Sequence, residues 1–93
     1  MSEVLHIIVA GRVQGVGYRY HVEDAAHRYG VAGWVRNLRT GEVEILARVS
    51  ERSRAPFLAE VKNGPRMALV REMKVRNPPP GVDCPQEGFL VRF

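Results

Sequence analysis

Apolar positions recur along this chain with two different periods, and the switches between them lay out its elements. Val4 to Val13 is dominated by Leu5, Ile7, Ile8 and Val9 and predicts a strand buried on at least one face. From Tyr18 to Tyr29 the apolar residues Tyr18, Val22, Ala25, Ala26 and Tyr29 form one helical stripe, and Gly30 follows as a natural stop. Val31 to Arg39 and Glu42 to Val49 read as two strands joined through Arg39, Thr40 and Gly41, a short hairpin loop. In the second of them Val43, Ile45, Ala47 and Val49 point inward, with Glu42, Glu44 and Arg48 outward. A second helix is expected over Arg54 to Lys62, burying Phe57, Leu58 and Val61. Proline is tolerated in a first helical turn, so Pro56 argues against a much earlier start, and Asn63-Gly64-Pro65 closes the helix. Leu69 to Arg76 predicts a further strand. Asn77 to Pro85 is a loop holding Pro78, Pro79, Pro80 and Pro85, and Phe89 to Phe93 a short closing strand.

The economical packing for this order is two β-α-β halves sharing one antiparallel sheet, with both helices on one face. That is a ferredoxin-like α+β sandwich of βαββαβ type, expected as a single domain over residues 1–93. Right-handed crossovers would set the first helix beside the central hairpin, so the loop after the first strand could face the second strand. Composition fits a globular chain: 45% hydrophobic and 26% charged residues argue against disorder. A formal net charge of +4 favours anionic partners. Its basic residues are dispersed, and the middle of the first strand is aliphatic rather than aromatic, both of which argue against nucleic acid. Cys84 is the single cysteine, which excludes an intrachain disulfide and a cysteine-based metal cluster. With no signal-peptide pattern and no apolar run of spanning length, a cytoplasmic protein without membrane contact is expected, monomeric by default.

The chemistry concentrates in Gly11-Arg12-Val13-Gln14-Gly15-Val16-Gly17-Tyr18-Arg19. Glycines between a strand and a helix start let backbone amides approach a ligand, and the helix start adds unpaired N–H groups and partial positive charge. Such a cradle suits a phosphate, and Arg19 would supply a guanidinium fork matched to its oxygens. The spacing is neither the dinucleotide fingerprint nor a Walker loop, and by itself it equally describes a tight strand-to-helix turn with a solvated arginine. Further on, alternation places Trp34, Arg36 and Leu38 on one face of the strand and Val35 and Asn37 on the other. The Asn37 amide can orient a water molecule or satisfy backbone groups near the turn.

Taken together, the segment from Gly11 to Arg19, then Gly33-Trp34-Val35-Arg36-Asn37 and the Gly41 hairpin, resembles the acylphosphatase family. The likeness extends to Leu58, Gly64-Pro65, Ala68 and Val70 and thins after Arg76. This resemblance implies a ferredoxin-like fold and hydrolysis of acyl phosphates to a carboxylate and inorganic phosphate, without metal or organic cofactor. It implies that the loop Gln14, Gly15, Val16, Gly17, Tyr18, Arg19 holds the phosphate through backbone amides. It further implies that Arg19 binds the phosphate and that Asn37 positions the attacking water. The acyl part is left little constrained, so broad acyl tolerance is expected. Tyr18 stands where many members carry phenylalanine, and its hydroxyl needs one partner if buried.

Other residues carry less. His21 and His27 fall on the polar flank of the first helix and are expected at the solvated surface. His6, His21 and His27 lack metal-ligand spacing. Glu23 and Asp24 point in different directions and form no dyad. Trp34 with Leu38 is either a ligand platform or a cover over the sheet. Arg12, Arg36 and Arg39 either enlarge the positive field at the site or serve solubility. Cys84 beside Pro85 is read as incidental.

Overall fold

The computed structural model describes residues 2–93. Its elements in chain order are β1 (Ser2–Arg12), α1 (Tyr18–Tyr29), β2 (Ala32–Asn37), β3 (Val43–Ser50), α2 (Glu51–Asn63), β4 (Leu69–Arg76) and β5 (Phe89–Arg92). The strands form one sheet in the order β4-β1-β3-β2-β5. The four strands of the βαββαβ succession pair antiparallel, as expected. The closing strand adds in parallel to β2, with Gly33 beside Phe89 and Val35 beside Val91, so the complete sheet is mixed. β4 and β5 sit at opposite edges, and a strand that arrives after crossing the sheet is not bound to the reversed direction a hairpin imposes.

The period-2 alternation decides which side of the sheet is covered. Leu5, Ile7 and Val9 of β1, Val35 of β2, and Val43, Ile45 and Ala47 of β3 face one side. They pack there against Val22, Ala25 and Ala26 of α1 and Phe57 and Val61 of α2. Both helices lie on that face, α1 over β2 and β5, α2 over β3 and β4.

α2 begins at Glu51, ahead of the expected Arg54, because a reciprocal serine cap outweighs the proline. The Ser53 amide donates to Ser50 Oγ at 3.1 Å, and the Ser50 amide donates to Ser53 Oγ at 2.8 Å. Pro56 therefore lies inside the helix. Its missing N–H leaves the Arg52 carbonyl without its usual partner, at an exposed end where water can serve it. Ser53 is buried with its hydroxyl engaged, so it fills the helix face rather than breaking it.

On the helix-free face Trp34 is a cover, 7% exposed, with the guanidinium groups of Arg36 and Arg92 each 5.1 Å from its ring. Beside it, Glu44 accepts from His6 Nε2 at 2.7 Å and from Arg36 Nε at 2.6 Å. Arg36 thus lies on the helix-free face with its Nε paired to Glu44. Burial alone would push the Glu44 carboxyl up, but the hydrogen bonds from His6 and Arg36 outweigh it and hold the group below its ordinary value. A depressed folded value means the unfolded chain takes up the proton first. Stability is therefore expected to be intact above the ordinary glutamate value, about 4.3, and to fall as pH drops through the lower folded one. Urea midpoints measured down an acid series should show this slope in the wild type and a shallower one in Glu44→Gln. Parallel slopes would remove Glu44 as its source.

The proline-rich segment after β4 passes along this same face to reach the far edge. Arg48, outward as expected, holds it by donating from Nη2 to Cys84 O at 3.0 Å and from Nε to Pro85 O at 3.2 Å. The Gly33 amide then receives it, donating to Gly88 O at 2.9 Å. Burial pushes the Cys84 thiol up, against the pull of Arg48, so little of it is the reactive thiolate. This strap delivers β5 to the edge beside α1.

Candidate active site

β1 ends at Arg12 and α1 starts at Tyr18, and the intervening loop turns through glycines in left-handed conformation. Gly15 has φ 74° and Gly17 φ 78°, and a Cβ at either would meet no neighbour within 4 Å. Glycine is needed here for backbone shape, which side chains other than glycine adopt only with strain. Gly17 is also the N-cap of α1. It offers no side chain to the first-turn amides, and that turn carries no acidic residue. The first amide to find an intrahelical carbonyl is His21, donating to Gly17 O at 3.1 Å. The helix thus begins with unpartnered donors and a partial positive charge facing the loop.

Asn37 closes the other side. Val13, Gly15, Gly17, Tyr18, Arg19, Tyr20 and Asn37 line one cavity of about 160 Å³, which joins the two motifs the sequence had kept apart. Asn37 Oδ1 is buried and has no hydrogen-bond partner. Buried polar atoms are rarely left so, which marks Asn37 among the residues that line this cavity.

Arg19 is held from a distance no motif reveals. Its Nη1 donates to Arg92 O at 2.7 Å, and its guanidinium lies 4.5 Å from the centre of the Phe93 ring. One donor is spent on the backbone of β5, and the cation lies against an aromatic ring. The remaining N–H groups of the fork are free for a ligand.

Tyr18 anchors the cradle to α2. Its hydroxyl donates to Val61 O at 2.6 Å. The residue four beyond Val61 is Pro65, which has no amide hydrogen, so this carbonyl lacks a helical donor and the phenol takes that place. Burial pushes the phenol well above its ordinary value, keeping it a donor. Tyr18→Phe is expected to orphan the buried carbonyl and lower stability by about 1–3 kcal/mol, read as a drop in urea midpoint. An unchanged midpoint would mean that another donor reaches Val61.

Residues 5–89 match the acylphosphatase family model. The chain belongs to the acylphosphatase family. A curated acylphosphatase of Pseudomonas paraeruginosa is 43% identical over 89 residues, covering 95% of this chain and 93% of that protein. The crystal structure of acylphosphatase from Bacillus subtilis superposes with a TM-score of 0.84 at 38% identity, covering both chains in full. An acylphosphatase structure from Coxiella burnetii gives a TM-score of 0.85 at 31% identity, over 98% of this chain and 93% of that one.

Against the acylphosphatase motifs, the residues from Gly15 to Arg19 and Asn37 come together in the cavity wall, except Val16, which packs against the core instead. Gln14 turns away, toward the hairpin. His21 departs from the solvated position expected of it. It is half-buried between the helices, its Nε2 3.0 Å from Glu60 O and 3.5 Å from Glu60 Oε1. His27 is exposed. The tether from Arg92 and Phe93 had no local signal, because its partners are 73 residues apart. Among the described residues no group of three or more His, Cys, Asp and Glu side chains could hold a metal ion, and no helix is long and apolar enough to cross a membrane.

Proposed function

We propose that the cavity binds the phosphoryl group of a small-molecule acyl phosphate and hydrolyses its carboxyl–phosphate bond, releasing a carboxylate and inorganic phosphate. The observation that carries this reading is the one cavity that gathers the start of α1 and Arg19 with Asn37, whose Oδ1 is left buried without a partner. Membership of the acylphosphatase family supports it.

The amides of the Gly15 to Tyr20 turn and the free edge of the Arg19 fork would hold the phosphoryl oxygens, whose charge is spread in the transition state. The Asn37 side chain, in the wall of the same cavity, would hold the attacking water and aim its oxygen at phosphorus. As the new P–O bond forms, the bond to the acyl oxygen breaks and its electron pair leaves with the carboxylate. The conjugate acid of that leaving group has a pKa of roughly 4 by analogy with side-chain carboxyls, so it departs without a proton donor. Both hydrogens of the water stay with the phosphate product, which then equilibrates with solvent.

The test is benzoyl phosphate hydrolysis in the presence of EDTA, followed by the disappearance of the acyl phosphate absorbance. Turnover well above the spontaneous rate is the expected result. A rate equal to the uncatalysed one, in folded protein that still binds inorganic phosphate, would reduce the site to anion recognition.

A further inference from the structure

We propose that Gln14 is a positioning residue: its side chain sets the cradle's distance from Asn37 and does not contact the phosphate. This rests on the acyl-phosphate reading above and extends it to how the grip on phosphate and the placement of water are kept in register.

The Gln14 amide nitrogen lies 2.8 Å from Leu38 O and 2.9 Å from Glu42 O. An amide NH2 has two hydrogens, and two carbonyls at hydrogen-bond distance take both. Neither carbonyl needs them for the hairpin itself. Leu38 N–H already donates to Glu42 O at 2.8 Å, and Gly41 N–H to Leu38 O at 3.2 Å. Gln14 uses the second lone pair of each. The hairpin therefore closes without Gln14, whereas the cradle does not reach the hairpin without it. Among the described residues, these two are the hydrogen bonds that join the loop between β1 and α1 to the β2–β3 turn.

Its attachment point matters as much as its strength. Leu38 directly follows Asn37, so the strut ends one residue from the group that would aim the water. The loop it steadies contains Gly15 and Gly17, neither of which has side-chain packing of its own to fix it. Phosphate held by the loop and water held by Asn37 belong to different segments of chain, and in-line attack depends on their separation.

Gln14→Met keeps the length and removes the donors. Gln14→Glu keeps the shape and turns a carboxylate toward the two carbonyls. For both, kcat on benzoyl phosphate is expected to fall about tenfold to a hundredfold, the scale of a small misplacement in a preorganised site. Inhibition by inorganic phosphate should stay within about threefold, because the amides and Arg19 still grip it. In an Asn37→Ala background the Gln14 effect should vanish, since the group being positioned is gone.

A parallel loss of kcat and phosphate affinity would overturn the proposal by making Gln14 a phosphate contact. An unchanged kcat, or full additivity with Asn37→Ala, would overturn it equally. If the wild type shows no turnover, the acyl-phosphate reading fails separately, and the strut is read by NMR instead. Inorganic phosphate should then shift the Asn37 side-chain amide resonances in wild type and not in Gln14→Met. Equal shifts in both would dismiss the coupling.

Discussion

Asn37→Ala is expected to lower kcat on benzoyl phosphate by about a hundredfold or more, the scale seen when one preorganised polar group is removed. Inhibition by inorganic phosphate should remain within about threefold of wild type, because the proposed role assigns Asn37 to water and not to phosphate. The fold should not suffer. Deleting a partnered buried atom usually leaves its partner exposed to a desolvation penalty, but Asn37 Oδ1 has no partner to strand. Its removal is expected to leave the urea midpoint unchanged or slightly raised, as when a site holds an unsatisfied group for its chemistry. Asn37→Asp makes the complementary case: it keeps an acceptor but sets a negative charge against the phosphoryl group, so phosphate inhibition should weaken as well. An Asn37→Ala enzyme that is folded and fully active would remove water positioning from this residue.

The parts of the molecule that were legible before any coordinates are those set by local periodicity. α1 runs from Tyr18 to Tyr29 as its apolar stripe predicts, because each position in that stripe answers to one buried face. β4 likewise spans Leu69 to Arg76. The start of α2 was not legible for a specific reason. Ser50 and Ser53 form a capping box with serine in place of the usual glutamate or glutamine, while Pro56 carries a strong but misplaced signal. The parallel pairing of β5 with β2 was hidden because strand partners are chosen by the whole sheet, and the strap that delivers β5 is held by Arg48 through main-chain carbonyls. Carbonyls carry no residue identity to read.

The candidate site divides along the same line. Gly15, Gly17, Arg19 and Asn37 could be singled out because the proposed chemistry needs those residue types. What holds each of them could not. Gln14 looked like one more loop residue, yet it bonds to the hairpin. Tyr18 looked like a departure from phenylalanine, yet its hydroxyl fills a vacancy that Pro65 creates in α2. In both cases the partner is a distant backbone carbonyl. Reactive groups have a pattern in sequence, whereas the scaffold that aims them is written in contacts.

That distinction sharpens what Arg19 should show. Arg19→Ala is expected to lower kcat/KM for benzoyl phosphate by about a hundredfold or more, corresponding to roughly 3 kcal/mol of transition-state stabilisation. Unlike Asn37→Ala it should also weaken inhibition by inorganic phosphate, because the guanidinium is assigned to the phosphoryl oxygens in both ground and transition states. Arg19→Lys is the more informative variant. It keeps the charge, so a purely electrostatic role predicts substantial rescue. The geometry predicts otherwise: Arg19 Nη1 is committed to Arg92 O at 2.7 Å, its guanidinium lies 4.5 Å from the centre of the Phe93 ring, and the residue lines the cavity. An ammonium has no plane to stack, and its three donors radiate from a single nitrogen, so it cannot reproduce the two separated edges of the fork. Arg19→Lys should therefore stay close to Arg19→Ala in kcat while recovering part of the phosphate affinity. Recovery of kcat to near wild type would mean that charge alone suffices at this position, and that the tether to β5 has no part in the chemistry.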